Sequence, residues 1–358
     1  MITRVLCLFI LLLMQLTAFG QQEKIRPLVD GALLEKASLK QVFQTALSVK
    51  PTEKLVSIRV IEDKIFALTS TNYLFCVNRM TGSPEFSRQL ALADFPVLGP
   101  ELFDGHVLYS SGSDLINIDL STGSAVTTNI QYKAACAPVR TASYLYFAGT
   151  DKRLHVFDEQ NKLHLFDVAA NNDTLMTSVV AGPGSVVFAT VAGNIVSIHL
   201  NSPMRIWQTD LPDKVTAPVI RDANSLYVGC WNTYIYKLKF TTGQIEWKYQ
   251  MPGVLSTSAV ISSKAVFQSV ANHGITAIDK SAGTELFTVL DGVAMLAQTP
   301  GRTFVMTTDR NCAVVDNSTG KEMERFNFAQ TALEASNNVD GYIYVADKQG
   351  RLACYAAK

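Results

Sequence analysis

The residues of this 358-residue chain best able to do chemistry are five histidines, six cysteines and a scatter of loop arginines. The histidines are His106, His155, His164, His199 and His273. None forms an HxxxH pair, the spacing that sets two imidazoles on one helix face to grip a metal. Each therefore reads as a packed or surface histidine. The cysteines show no CxxC spacing, which argues against a zinc or redox motif. Apart from Cys7 they are Cys76, Cys136, Cys230, Cys312 and Cys354, an odd set with no two close in sequence, and buried free thiols are expected. Gly182-Pro183-Gly184 is a turn without the Gly-Lys-Ser/Thr that completes a phosphate loop. No Gly-x-Ser-x-Gly nucleophile elbow occurs. No catalytic, cofactor-binding or metal-binding residue is expected, and the chain reads as non-enzymatic.

Recognition chemistry is better represented. Arg140, Arg153, Arg221, Arg310 and Trp231 fall in predicted turns and connections, which are expected to gather at one face. A guanidinium can anchor carboxylates or carbonyls, and a loop tryptophan offers a large rigid contact surface. These five are the candidate partner-binding residues. Trp231, in Gly229-Cys230-Trp231-Asn232-Thr233, is the most unusual, and with Tyr234 nearby it admits a glycan as a weaker alternative.

Composition narrows the partners. Apolar residues make up 48% and charged residues 17%, enough for a packed core. Lys+Arg and Asp+Glu are both 31. A nucleic-acid binder normally carries a basic excess, so none is expected as a partner. At the N-terminus Arg4 precedes an apolar run from Val5 to Leu13, then Ala18-Phe19-Gly20 and Gln21. This is the pattern of a cleavable signal peptide over residues 1–20. The remainder, 21–358, is expected to be one exported domain without a transmembrane segment, a monomer in the periplasm or outside the cell.

The elements that must position those loops recur with a period of about 40 residues. The clearest unit runs Asn224-Ser225-Leu226-Tyr227-Val228-Gly229, then Tyr234-Ile235-Tyr236-Lys237-Leu238, then Thr242-Gly243-Gln244-Ile245-Glu246-Trp247. Seven further units keep this frame. The last, around Tyr342-Ile343-Tyr344-Val345, stops before its final strand. That strand is found at the other end of the domain, where Phe43-Gln44-Thr45-Ala46-Leu47 parallels Trp207-Gln208-Thr209-Asp210-Leu211. The chain is therefore expected to be all-β, an eight-bladed β-propeller of four-stranded antiparallel blades, its last blade closed by the N-terminal strand. The aromatic four residues after the turn glycine stands at 43, 86, 166, 207, 247 and 287 and should fill the gap between blades. Thr127 and Glu324 take the position in the other two blades.

The pattern Ile-Asp-x-x-Thr/Ala-Gly-x-x-x-aromatic resembles the tryptophan-docking motif of PQQ-type propeller repeats, and the resemblance covers essentially the whole domain. Two classes of protein share that repeat. Quinoprotein dehydrogenases hold PQQ over the ring axis with Ca²⁺, an Asp base and a disulfide between adjacent cysteines. This chain has no Cys-Cys pair and no acidic Ca²⁺-type loop. The other class is similar to the propeller lipoprotein of the outer-membrane barrel-assembly machinery, a single eight-bladed ring that binds proteins. Gln21 stands where its lipid-bearing cysteine would be. The resemblance thus implies a binding or scaffolding module with a protein or envelope partner on its loop face and no cofactor. The alternative it leaves is a small-molecule or PQQ-binding oxidoreductase using the axial mouth.

Overall fold

The computed structural model describes residues 26–170 and 173–358; the expected signal segment 1–20 lies outside them. The strands form eight sheets of four antiparallel strands each. Blade 1 starts at Leu55–Ile61 and blade 8 at Leu333–Ala335, with strands a to d running outward from the ring axis. The a strands of successive blades lie closest together, while the d strands are largely exposed. Blade 8 takes its d strand from Leu39–Ala46, which pairs antiparallel with Arg351–Ala357 from Leu39↔Ala357 to Ala46↔Arg351. The predicted closure is therefore present, and it covers the edge the C-terminal strand would otherwise expose.

Eight apolar clusters hold the ring, one at each blade interface. The docking aromatics explain much of this. Trp207 of blade 4 lies against Gly243 in the c–d turn of blade 5, and its Nε1 donates to the Phe240 carbonyl at 3.0 Å. Gly243 has φ +69°, and a Cβ there would collide with the Trp207 ring, so the turn requires glycine twice over. Phe43, Phe86, Trp247 and Phe287 meet Gly82, Gly123, Gly283 and Gly320 in the same way. The motif's aspartate shapes the turn itself. Asp119 Oδ1 accepts from the backbone N–H groups of Ser121 and Thr122 at 2.8 and 2.9 Å, and Asp316 does the same for Ser318 and Thr319.

A β-bulge precedes the docking position in seven blades. In each of these the register slips by one residue just before position 43, 86, 166, 207, 247, 287 or 324. A bulge bends its strand and re-aims the next side chain, here toward the following blade. Blade 2 has Thr127 at this position, and its outer pair runs from Asp114↔Asn129 to Ile118↔Ala125 without a slip. Thr127 stays exposed. Glu324 of blade 7 has no c–d turn to meet, because blade 8 borrows its d strand. The short helix α1 (Gly31–Lys36) fills that place: Leu28, Val29 and Leu34 pack with Phe328 and Tyr355. Asp30 caps the helix by accepting from the Ala32 N–H at 2.8 Å.

Among the described residues no helix is long and apolar enough to cross a membrane. Cys76, Cys136, Cys230, Cys312 and Cys354 are all buried and free, as the sequence suggested.

Candidate functional site

The two rims of the ring differ in what they carry. Connections between blades and b–c hairpins gather at one rim; a–b hairpins and c–d turns gather at the other. Of the five predicted contact residues, Trp231, Arg153 and Arg310 lie in or beside b–c hairpins. Arg140 and Arg221 end their a strands at the a–b hairpins, on the opposite rim. The expectation of a single face for all five is corrected, because an antiparallel hairpin places its two ends on opposite sides of the blade.

Among the described residues, each of these side chains except that of Arg153 already has a protein partner. Trp231 Nε1 donates to Thr216 Oγ1 at 2.8 Å, and Lys214 Nζ lies 4.9 Å from its ring centre. One face of the indole is thereby committed, yet the residue remains 37% exposed. Arg310 donates to Glu334 at 2.7 Å and to Thr331 at 3.0 Å. Arg221 donates to the Ala181 carbonyl at 3.1 Å and covers the Phe240 ring. Arg153 stands exposed at the start of its strand.

Arg140 belongs to a different feature. Between blades 2 and 3 there is no docking aromatic, no bulge, and Lys162 in place of the turn glycine. The apolar cluster here is only Leu108, Leu115 and Leu145, flanked by Ile130 and Phe157. The gap opens as a cleft of about 330 Å³, whose walls include Leu145, Phe157, Tyr132, Arg140, Lys162 and His164. Glu159 accepts from Arg140 Nε at 2.9 Å and from Lys162 Nζ at 2.7 Å, so two cations share one carboxylate on its wall. In blades 1 and 6 the position of Glu159 holds a cation that ties neighbouring blades: Arg79 to Asp340 at 2.6 Å, and Lys280 to Asp222. The corresponding residues of blades 2 and 3 are Asp104 and Glu159, both acidic, and that inter-blade tie is missing.

Beside the cleft, blade 3 gathers side chains that spacing along the chain does not group. His155 is 1% exposed. Its Nδ1 lies 2.6 Å from Asp167 Oδ1, and its Nε2 lies 3.0 Å from Asp151 Oδ2. His164 Nε2 approaches the same Asp167 oxygen at 2.7 Å. Tyr132 stacks on the His155 ring, with centroids 3.5 Å apart and planes 17° from parallel. Burial works against the Asp167 carboxylate, but the hydrogen bonds to His164 and His155 and the charge of those rings outweigh it and hold its carboxyl below the usual range. The bulge explains the meeting of His164 with Asp167. Residues three apart on a regular strand face opposite sides, but Val156 pairs with Phe166 and Phe157 with His164, leaving Leu165 as the extra residue.

Eight four-stranded blades, docking aromatics on Thr-Gly turns and a final blade completed by the N-terminal strand define a propeller of the PQQ-repeat class. The family described as Outer membrane protein assembly factor BamB matches residues 30–249 and 191–358, and the chain belongs to that family. BamB from Moraxella catarrhalis is similar at 14% identity over 89% of this chain and 99% of that one, with a TM-score of 0.65. The computationally designed Ika8 protein is similar at 12% identity over 87% of this chain and 98% of that one, also with a TM-score of 0.65. Likeness at these identities concerns the fold alone. No curated protein matches the chain by sequence.

Proposed function

We propose that this chain is an exported, non-enzymatic propeller of the bacterial cell envelope, a monomer that presents its connection rim to a protein partner. The observation that carries this reading is where large apolar side chains stand exposed. Leu92, Phe95, Leu175, Val254 and Leu290 lie in connections between blades, and Trp231 lies in a b–c hairpin of the same rim. Leu92 and Leu290 are 73% and 79% exposed. Burying such a side chain at an interface gains about 1.5–3 kcal/mol, and a rim that gathers such side chains into one patch is the kind of surface that meets a partner. The family supports the envelope setting, since its description is that of an outer-membrane assembly factor. Arg153 and Arg310 stand on this rim and serve as polar contacts at its edge. Arg140 and Arg221 serve the opposite rim and the blade interfaces.

The test is affinity capture from a bacterial envelope fraction with the wild-type domain and with Leu92→Glu/Leu290→Glu. The reading expects one reproducible protein partner with the wild type and its loss with the double variant. No reproducible partner, or equal capture by both, contradicts it.

A further inference from the structure

We propose that His155, His164 and Asp167 form a binding site for a divalent late transition metal, with zinc as the natural tetrahedral occupant. Their ligand atoms all lie within 4.8 Å of one another. Two imidazoles and one carboxylate suit zinc, nickel or copper rather than calcium or magnesium, which prefer all-oxygen shells. Three protein ligands with two of them solvent-accessible leave a fourth position for water, as in open zinc sites.

What separates this group from a chance cluster is the support around His155. The Asp151 carboxylate faces Nε2, leaving Nδ1 aimed at Asp167 and His164. This is the carboxylate–histidine–metal arrangement that fixes the tautomer and orientation of a ligating imidazole. Stacking with Tyr132 fixes the ring plane. The backbone makes room as well: a Cβ on Gly149 would collide with Asp151 Oδ1 and come within 3.0 Å of His155 Nε2. A side chain at 149 would displace the carboxylate that orients the ring.

The geometry needs little adjustment. Metal bonds of about 2.0–2.1 Å in a tetrahedron set ligand atoms roughly 3.3 Å apart. The Asp167 oxygen is now 2.6 and 2.7 Å from the two ring nitrogens. The two Asp167 contacts need to open by well under 1 Å, and the two ring nitrogens, within 4.8 Å of each other, need to come to the same separation, which a turn of the partly exposed His164 provides. The metal takes the place of protons now shared between the rings and the carboxylate, and Asp167 and Asp151 balance its two charges.

The experiment uses the full domain, residues 21–358, with ZnCl₂ as the probe. Titration calorimetry and metal analysis after dialysis give stoichiometry and affinity, and Co²⁺ substitution gives the visible spectrum of the coordination sphere. The proposal expects one zinc per chain, at least tenfold weaker binding by His164→Ala and by Asp167→Ala, and about 10–100-fold weaker binding by Asp151→Asn. Cobalt should give tetrahedral-type visible bands in the wild type that vanish in His164→Ala. His164 is partly exposed, so this variant keeps the fold, checked by circular dichroism. Absence of stoichiometric zinc in the wild type, or unchanged affinity in a folded His164→Ala, overturns the site.

Discussion

Replacing Trp207 with alanine removes the ring that joins blade 4 to the Gly243 turn of blade 5. A fully buried tryptophan truncated to alanine costs about 3–5 kcal/mol. Trp207 is half-buried, so about half of that applies, near 2 kcal/mol. Its indole N–H also serves the Phe240 carbonyl at 3.0 Å, and loss of that bond adds about 1 kcal/mol. The expected destabilisation is about 3 kcal/mol. Thr127, at the equivalent position of blade 2, is exposed on an unbulged strand. Its replacement by alanine should change stability by less than about 0.5 kcal/mol. Equilibrium urea unfolding of both variants, followed by far-ultraviolet circular dichroism, makes the comparison. If Trp207→Ala unfolds with the wild type, or Thr127→Ala costs as much as Trp207→Ala, docking aromatics are not what holds the blades together.

Other consequences concern chemistry the fold suppresses. Burial pushes the thiols of Cys76, Cys136 and Cys354 up to about 12, so at pH 8 a thiol-specific disulfide reagent should leave the native domain unmodified and react only after denaturation. Glu101, on the a strand of blade 2, has its carboxyl raised by burial to about 7. Its folded value then lies above the unfolded one of roughly 4.3, so ionisation destabilises the fold as pH rises through that window. Glu101→Gln should therefore raise the melting temperature at pH 8 and leave it unchanged at pH 4; a gain at both would reject that cause. Calorimetry with PQQ and Ca²⁺ should give no saturable heat, whereas stoichiometric binding would favour the axial oxidoreductase reading.

Much of this architecture was legible in the chain because a propeller repeats its physics. The Thr-Gly turn, the aromatic four residues on and the stranded Phe43 segment each encode a local geometry, and counting them yields eight blades and their closure. The positions of Thr127 and Glu324 were equally visible, but not their consequences. At Thr127 a cleft opens; at Glu324 the segment carrying Leu28 and Leu34 fills in. Which outcome follows depends on what the neighbouring blade and the N-terminal segment bring, and that is a matter of packing. The grouping of His155, His164 and Asp167 was hidden for a different reason. Period-two reasoning separates 164 from 167, and only the bulge at Leu165 reunites them. Strand order also misled: Arg140 and Arg221 follow the connections in sequence but finish at the far rim.

On the proposed function the connection rim meets a protein. Photo-crosslinking in the bacterial envelope tests it most directly, with a crosslinking amino acid placed at Leu92, Leu175 or Leu290 on that rim and at Met204 or Val339 on the other. One discrete protein adduct is expected from the first set and none from the second. Adducts from the far rim alone, or from neither, would contradict it.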